Sequence, residues 1–135
     1  MLMLSCQSTT LRVLVVDDHE LTRLTLQLAF STQENLHVVG LACNGQEAID
    51  MLPSCQPDVI ILDLQMPVMD GWHASSHIKA MSPETQILAY SSVEEANFSS
   101  THSTYNFDYF CQKDVPTKEL IALVKQLGER VKNKV

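Results

Sequence analysis

The sequence predicts an α/β domain: a parallel sheet with helices on both sides. Two observations carry this. Short apolar runs alternate with longer segments whose apolar residues recur every three or four positions, the alternation of strands with amphipathic helices. Two of the runs, Leu14-Val15-Val16 and Val59-Ile60-Ile61-Leu62, end directly in acidic residues, Asp17-Asp18 and Asp63. In an open parallel sheet, ligands sit just outside the carboxyl ends of the strands.

The elements follow in order. Residues 1–10 read as a loose, flexible lead. Residues 11–16 form a first strand, apolar enough to be buried on both faces. Residues 19–30 form a helix, with Leu21, Leu24, Leu28 and nearby Leu26 expected on its inner side. A second strand covers 36–43. Asn44 caps a short helix whose Ala48, Ile49 and Leu52 face inward and which Pro53 is expected to stop. The third strand is 59–63. A loop punctuated by Pro67 and Gly71 leads to a helix over 72–80. The fourth strand is 87–91 and the fifth 107–112. The closing helix, 117–132, turns Leu120, Ile121, Val124 and Leu127 to the core, and 133–135 is a tail. Alternation also places a helix at 94–106, although Asn97, Ser99, Ser100, Thr101, Ser103 and Thr104 are poor helix formers. The domain is therefore expected over 11–132.

Composition narrows the function. The 135 residues fit one domain, and the formal charge is −7, from 16 acidic and 9 basic residues. Such a chain is a poor non-specific nucleic-acid binder, because that affinity rests on Lys and Arg at phosphates. Cys6, Cys43, Cys55 and Cys111 form no CxxC pair. Cys43 and Cys111 lie in apolar runs and are expected to be buried as small hydrophobes. The reading is a reduced, cytoplasmic chain with neither signal peptide nor membrane span.

The acidic strand ends carry the chemistry. Two adjacent strands ending this way bring three carboxylates together. The cluster repels itself at neutral pH and needs a counter-cation, and hard oxygen ligands suit Mg²⁺. One carboxylate is then free to act as a nucleophile toward a phosphoryl group.

Asp17-Asp18, the stretch Asp63-Leu64-Gln65-Met66-Pro67-Val68-Met69-Asp70-Gly71, Ser91 after one strand and Lys113 after the last together resemble a response-regulator receiver domain. Val38-Val39-Gly40, Asn44-Gly45-Gln46-Glu47-Ala48 and Lys113-Asp114 resemble the NarL/FixJ-type branch. The resemblance implies a flavodoxin-like (βα)₅ three-layer sandwich, its five parallel strands in the order 2-1-3-4-5. It implies that Asp63 is the phosphoacceptor. Asp17, Asp18, Asp63 and the backbone carbonyl of Gln65 would hold Mg²⁺. Lys113 would pair with Asp63 and then with the phosphoryl group, to which the Ser91 hydroxyl would donate. Ser91 and Phe110 would form a switch, the ring turning inward as the hydroxyl moves. Such a protein is a signalling switch that promotes its own phosphorylation and dephosphorylation. Its output surface would be the fourth helix, the fifth strand and the fifth helix.

The implied partners are a sensor histidine kinase or phosphotransfer protein as donor, and a downstream protein or a DNA-binding domain outside this chain. A phosphorylation-dependent dimer is compatible with this, and direct contact with nucleic acid or membrane is not expected. No DNA-binding domain follows Val135, so the chain is read either as a stand-alone regulator or as an excerpt of a longer one.

Several residues depart from the family pattern. Ser92 stands where Ala is usual, Asn106 and Tyr109 stand in the region of the fifth strand's start where the family often carries glycines, and Asp114 replaces the proline that often follows the lysine. A trans Lys113–Asp114 bond is expected. His73 and His77, four apart, read as an exposed helix face, and Trp72 as core or edge packing. An aspartyl-nucleophile phosphatase would need a second Asp where Gln65 stands. A flavin carrier of the same fold would need a phosphate loop where Asp17-Asp18-His19-Glu20 would repel phosphate. A pseudo-receiver that only binds partners is the remaining alternative.

Overall fold

The computed structural model describes residues 10–92 and 106–132. Apart from Thr10 and Asn106, the lead at 1–10, the helix at 94–106 and the tail at 133–135 lie outside the described residues. The elements are β1 (Leu11–Val16), α1 (Glu20–Ser31), β2 (Leu36–Ala42), α2 (Gly45–Cys55), β3 (Val59–Leu62), α3 (Gly71–Met81), β4 (Gln86–Ser91), β5 (Tyr109–Gln112) and α4 (Thr117–Lys132). All strand pairs are parallel, in the order β2-β1-β3-β4-β5. This is the flavodoxin-like sandwich.

Side chains alternate across a strand, and β1 shows how this builds two cores. Val13 and Val15 face a cluster with Leu26 and Phe30 of α1 and Leu120, Val124 and Leu127 of α4. Leu14 and Val16 face the other cluster, with Ala48 and Leu52 of α2 and Ala74 and Ile78 of α3. The central strands β1 and β3 are therefore almost wholly buried, as their continuous apolar runs require.

Three expectations are corrected. The inner face of α1 is not the one carrying Leu21, Leu24 and Leu28, which are 77%, 48% and 71% exposed. Leu26 and Phe30, one turn apart, are buried instead. The helix carries two apolar stripes, and the one with the large aromatic ring takes the core, where full burial of a Phe stabilises by about 1.5–3 kcal/mol. Pro53 does not stop α2, which continues to Cys55. The proline lacks only one donor in the last turn. The helix ends where Gln56 adopts φ 46 and its N–H donates to the Leu52 carbonyl at 2.9 Å. Cys43 is half-buried rather than buried, because it follows the last residue of the edge strand β2, while Cys55 and Cys111 are buried.

The remaining boundaries shift by one or two residues. β5 begins at Tyr109, not Phe107, whose ring packs instead against Trp72 with centroids 5.2 Å apart. No described peptide bond is cis, so Lys113–Asp114 is trans as expected. At Gly71 a Cβ would collide with the Asp63 carbonyl oxygen and lie 2.8 Å from Leu64 Cα. Glycine there lets the loop after β3 fold back, its N–H donating to the Leu64 carbonyl at 3.0 Å.

Candidate functional site

Register brings the acidic residues together. Val16 of β1 pairs with Leu62 of β3, so Asp17 and Asp63 leave the sheet side by side. Their backbones remain in the ladder: Asp63 N–H donates to the Val16 carbonyl at 2.9 Å, and Asp17 N–H to the Ala42 carbonyl at 3.0 Å. Ligand atoms of Asp17, Asp18, His19 and Asp63 all lie within 4.8 Å of one another. Lys113, just beyond β5, is held by its N–H donating to the Ser91 carbonyl at 3.0 Å. Its ammonium reaches across to Asp17 Oδ2 at 2.8 Å and Asp63 Oδ2 at 3.4 Å. The lysine thus bridges two carboxylates, and its shorter contact is with Asp17, not Asp63.

Asp17 and Asp63 are only 1% and 3% exposed. Burial, and then the neighbouring charge of Asp17, push the Asp63 carboxyl up to about 6, against the pull of Lys113. For Lys113, burial works to lower the ammonium's pKa. The hydrogen bond to Asp17 and the charges of Asp63 and Asp17 outweigh it, and the net shift is upward. The buried oxygens Asp17 Oδ2 and Asp63 Oδ2 have only the one Lys113 ammonium between them, and Asp18 Oδ1 only the His19 ring beside it. Buried polar atoms are normally satisfied, and three such carboxylate oxygens in one place form a hard-donor set that fits a cation of the Mg²⁺ type.

The other expected residues lie as follows. Gln65 sits over the pocket with its N–H donating to Asp63 Oδ1 at 3.3 Å. Ser91 is fully buried at the end of β4. Phe110, in register with Ala89 two residues before Ser91, packs half-buried with Leu64, Ala89, Trp72 and Phe107. An open cavity of about 530 Å³, lined by Ser92, Gln112, Lys113 and Asp114, lies beside the lysine.

Three neighbours were not singled out by sequence reasoning, or only in passing. His19 Nδ1 lies 3.0 Å from Asp17 Oδ1 and 3.1 Å from Asp18 Oδ1. Arg23 Nη1 donates to the Asp17 carbonyl at 2.7 Å. The Lys113 ammonium lies 5.9 Å from the Tyr90 ring centroid, and the Tyr90 hydroxyl donates to the Lys113 carbonyl at 3.5 Å. Arg23 lies in the first turn of α1, six residues after Asp17, close enough in sequence to have signalled the contact. Tyr90, inside an apolar strand, carried no such signal.

A sheet of this order, with carboxylates after β1 and β3 and a lysine after β5 meeting at its carboxyl end, defines a receiver-type α/β domain. Residues 13–125 match the response regulator receiver domain, and the chain belongs to that family. It is 34% identical over 124 residues to the response regulator protein VraR of Staphylococcus aureus, covering 90% of this chain and 59% of that protein. The chain thus spans about three-fifths of the length of the curated relatives it matches. Among solved structures it resembles the signal receiver domain of NarL from Mycobacterium tuberculosis, at 29% identity and a TM-score of 0.82, covering 89% of this chain and 97% of that one. It also resembles the response regulator domain of Thermotoga maritima CheB, at 27% identity and a TM-score of 0.77, covering 93% and 99%. Among the described residues, no helix is long and apolar enough to cross a membrane.

Proposed function

We propose that this receiver accepts a phosphoryl group on Asp63 from a phosphohistidine donor and so switches a protein-interaction surface. The observation that carries this reading is the convergence of Asp63, Asp17, Asp18 and Lys113 in one largely buried pocket, where a single ammonium faces two carboxylates. An Asp63 oxygen attacks phosphorus, an O–P bond forms and the N–P bond to the donor imidazole breaks. The imidazole leaves with the electron pair and takes its proton from solvent. Lys113, already within 3.4 Å of Asp63, would pair with the phosphoryl oxygens, and the Ser91 hydroxyl would donate to them.

Asp17, Asp18, Asp63 and the Gln65 carbonyl would hold Mg²⁺. The ion would supply positive charge against the charge developing on the phosphoryl oxygens. Phe110, in a small aromatic cluster with Trp72 and Phe107, would couple Ser91 to an output surface that includes β5 and α4. The donor would be a sensor histidine kinase or phosphotransfer protein. The exposed Leu21, Leu24 and Leu28 on α1, the helix that starts at the pocket, are an apolar surface that a protein donor would cover. The output would be a downstream protein or a DNA-binding domain outside this chain.

Intact-mass spectrometry after incubation with Mg²⁺ and acetyl phosphate tests the reading. One phosphoryl group per chain is expected, absent in Asp63→Asn. An unchanged wild-type mass, or undiminished labelling of the variant, would refute it.

A further inference from the structure

A second group of metal-ligating side chains lies on α3 and the loop before it. His73 and His77 are four residues apart on this helix, so they share a face with their Cβ atoms about 5–6 Å apart. Sequence alone reads them as a solvated face. The structure adds two things. Asp70 Oδ1 accepts the His73 backbone N–H at 2.9 Å and also lies 2.9 Å from His73 Nδ1. A carboxylate at this distance favours, in the neutral imidazole, the tautomer with the proton on Nδ1 and the lone pair on Nε2. This is how a carboxylate orients a metal-binding histidine. Both imidazoles also line one cavity of about 450 Å³, whose remaining walls are Met66, Val68, Met69 and Asp70. That floor is fixed, since Gly45 N–H donates to the Met69 carbonyl at 3.0 Å and Met69 N–H to the Pro67 carbonyl at 2.7 Å.

We propose that His73 and His77 form a binding site for a borderline transition-metal dication, with Zn²⁺ as its type. His73 Nε2 and one ring nitrogen of His77 would be the protein ligands, water would complete the shell, and the two methionines would shield one side. Imidazole nitrogen suits Zn²⁺, whereas Mg²⁺ seeks oxygen. The two sites would therefore sort ions by class. The proposal does not depend on the phosphoryl-transfer reading.

The test is a Zn²⁺ titration of the full chain with thiols kept reduced and excess Mg²⁺ present to compete for the acidic cluster. Calorimetry gives stoichiometry and affinity, and histidine ring resonances give location. One Zn²⁺ per chain is expected, with shifts confined to the His73 and His77 rings. His77→Gln should weaken binding by about tenfold or more. Asp70→Ser keeps a helix cap but cannot reach the ring, and should cost about tenfold. Unchanged binding in the His73→Gln/His77→Gln double variant would overturn the proposal by moving the ion elsewhere. So would the absence of saturable binding in the wild type.

Discussion

The two ends of the same sheet treat carboxylates in opposite ways. At the amino end, Asp58 Oδ2 accepts the Arg12 N–H at 2.9 Å and lies 3.5 Å from Lys132 Nζ. Asp108 Oδ2 accepts the Ile87 N–H at 2.8 Å and lies 2.8 Å from Lys79 Nζ. Each charge has a backbone donor and a cation of its own. At the carboxyl end, Asp17 and Asp63 have one cation, Lys113, between them, and Asp18 lies in the same cluster. One end uses acidic residues to tie strands together. The other concentrates charge beyond what the fold balances, which is the condition for holding a cation and presenting a nucleophile.

Among the carboxylates, the largest effect should come from the satisfied end. Asp108→Ala removes a charged acceptor from Ile87 and leaves the half-buried Lys79 ammonium without a carboxylate, the Thr85 carbonyl at 2.6 Å remaining close. Urea unfolding should register a loss of about 2–4 kcal/mol. A loss under half of that would mean the amino-end pairs are surface decoration and the contrast is false.

Asp63→Asn should have the opposite sign. The native carboxyl, at about 6, holds its proton more tightly than the unfolded value of 3.8. Its contribution to stability is complete below about pH 4 and is lost as pH rises through about 6. At pH 7.5 the ionised group is therefore a penalty. The Asn variant should be more stable by about 1–3 kcal/mol, given about 1.4 kcal/mol for each pKa unit. The gain should shrink toward zero as unfolding is repeated down to pH 4. A variant that is less stable at pH 7.5 would count against a strained carboxylate cluster.

The smallest effect should fall on the exposed stripe of α1, with its buried stripe as the control. Leu28→Gln, on the exposed stripe, should change stability by no more than about 0.5 kcal/mol. Leu26→Ala, on the buried one, should cost about 2–5 kcal/mol. Equal costs would show that the outer leucines are covered in the folded chain.

Much of this contrast could be read from residue order. Apolar runs ending in Asp17-Asp18 and Asp63 mark both central strands and the pocket, because period and polarity change at the same residue. Lys113 and Ser91 were legible by their place after the last two strands. The inner face of α1 was not, since leucine spacing fits both stripes and only the packing of Phe30 decides between them. Pro53 misled because a proline in a helix's last turn loses little. The preference of Lys113 for Asp17 is a matter of tenths of an ångström in a shared cluster, below what spacing can express. The imidazole pair on α3 gained meaning only when Asp70 and the loop methionines were seen around it.

Thermal unfolding with and without Mg²⁺ at pH 7.5 tests most directly whether the carboxyl end is built for a cation. Saturation to about a hundred times Kd contributes about 2.7 kcal/mol, so the wild-type Tm should rise by roughly 5–10 °C. Asp58→Asn should keep the rise and Asp18→Asn should lose it. A wild type indifferent to Mg²⁺, or an Asp18→Asn variant that responds as fully, would contradict the account.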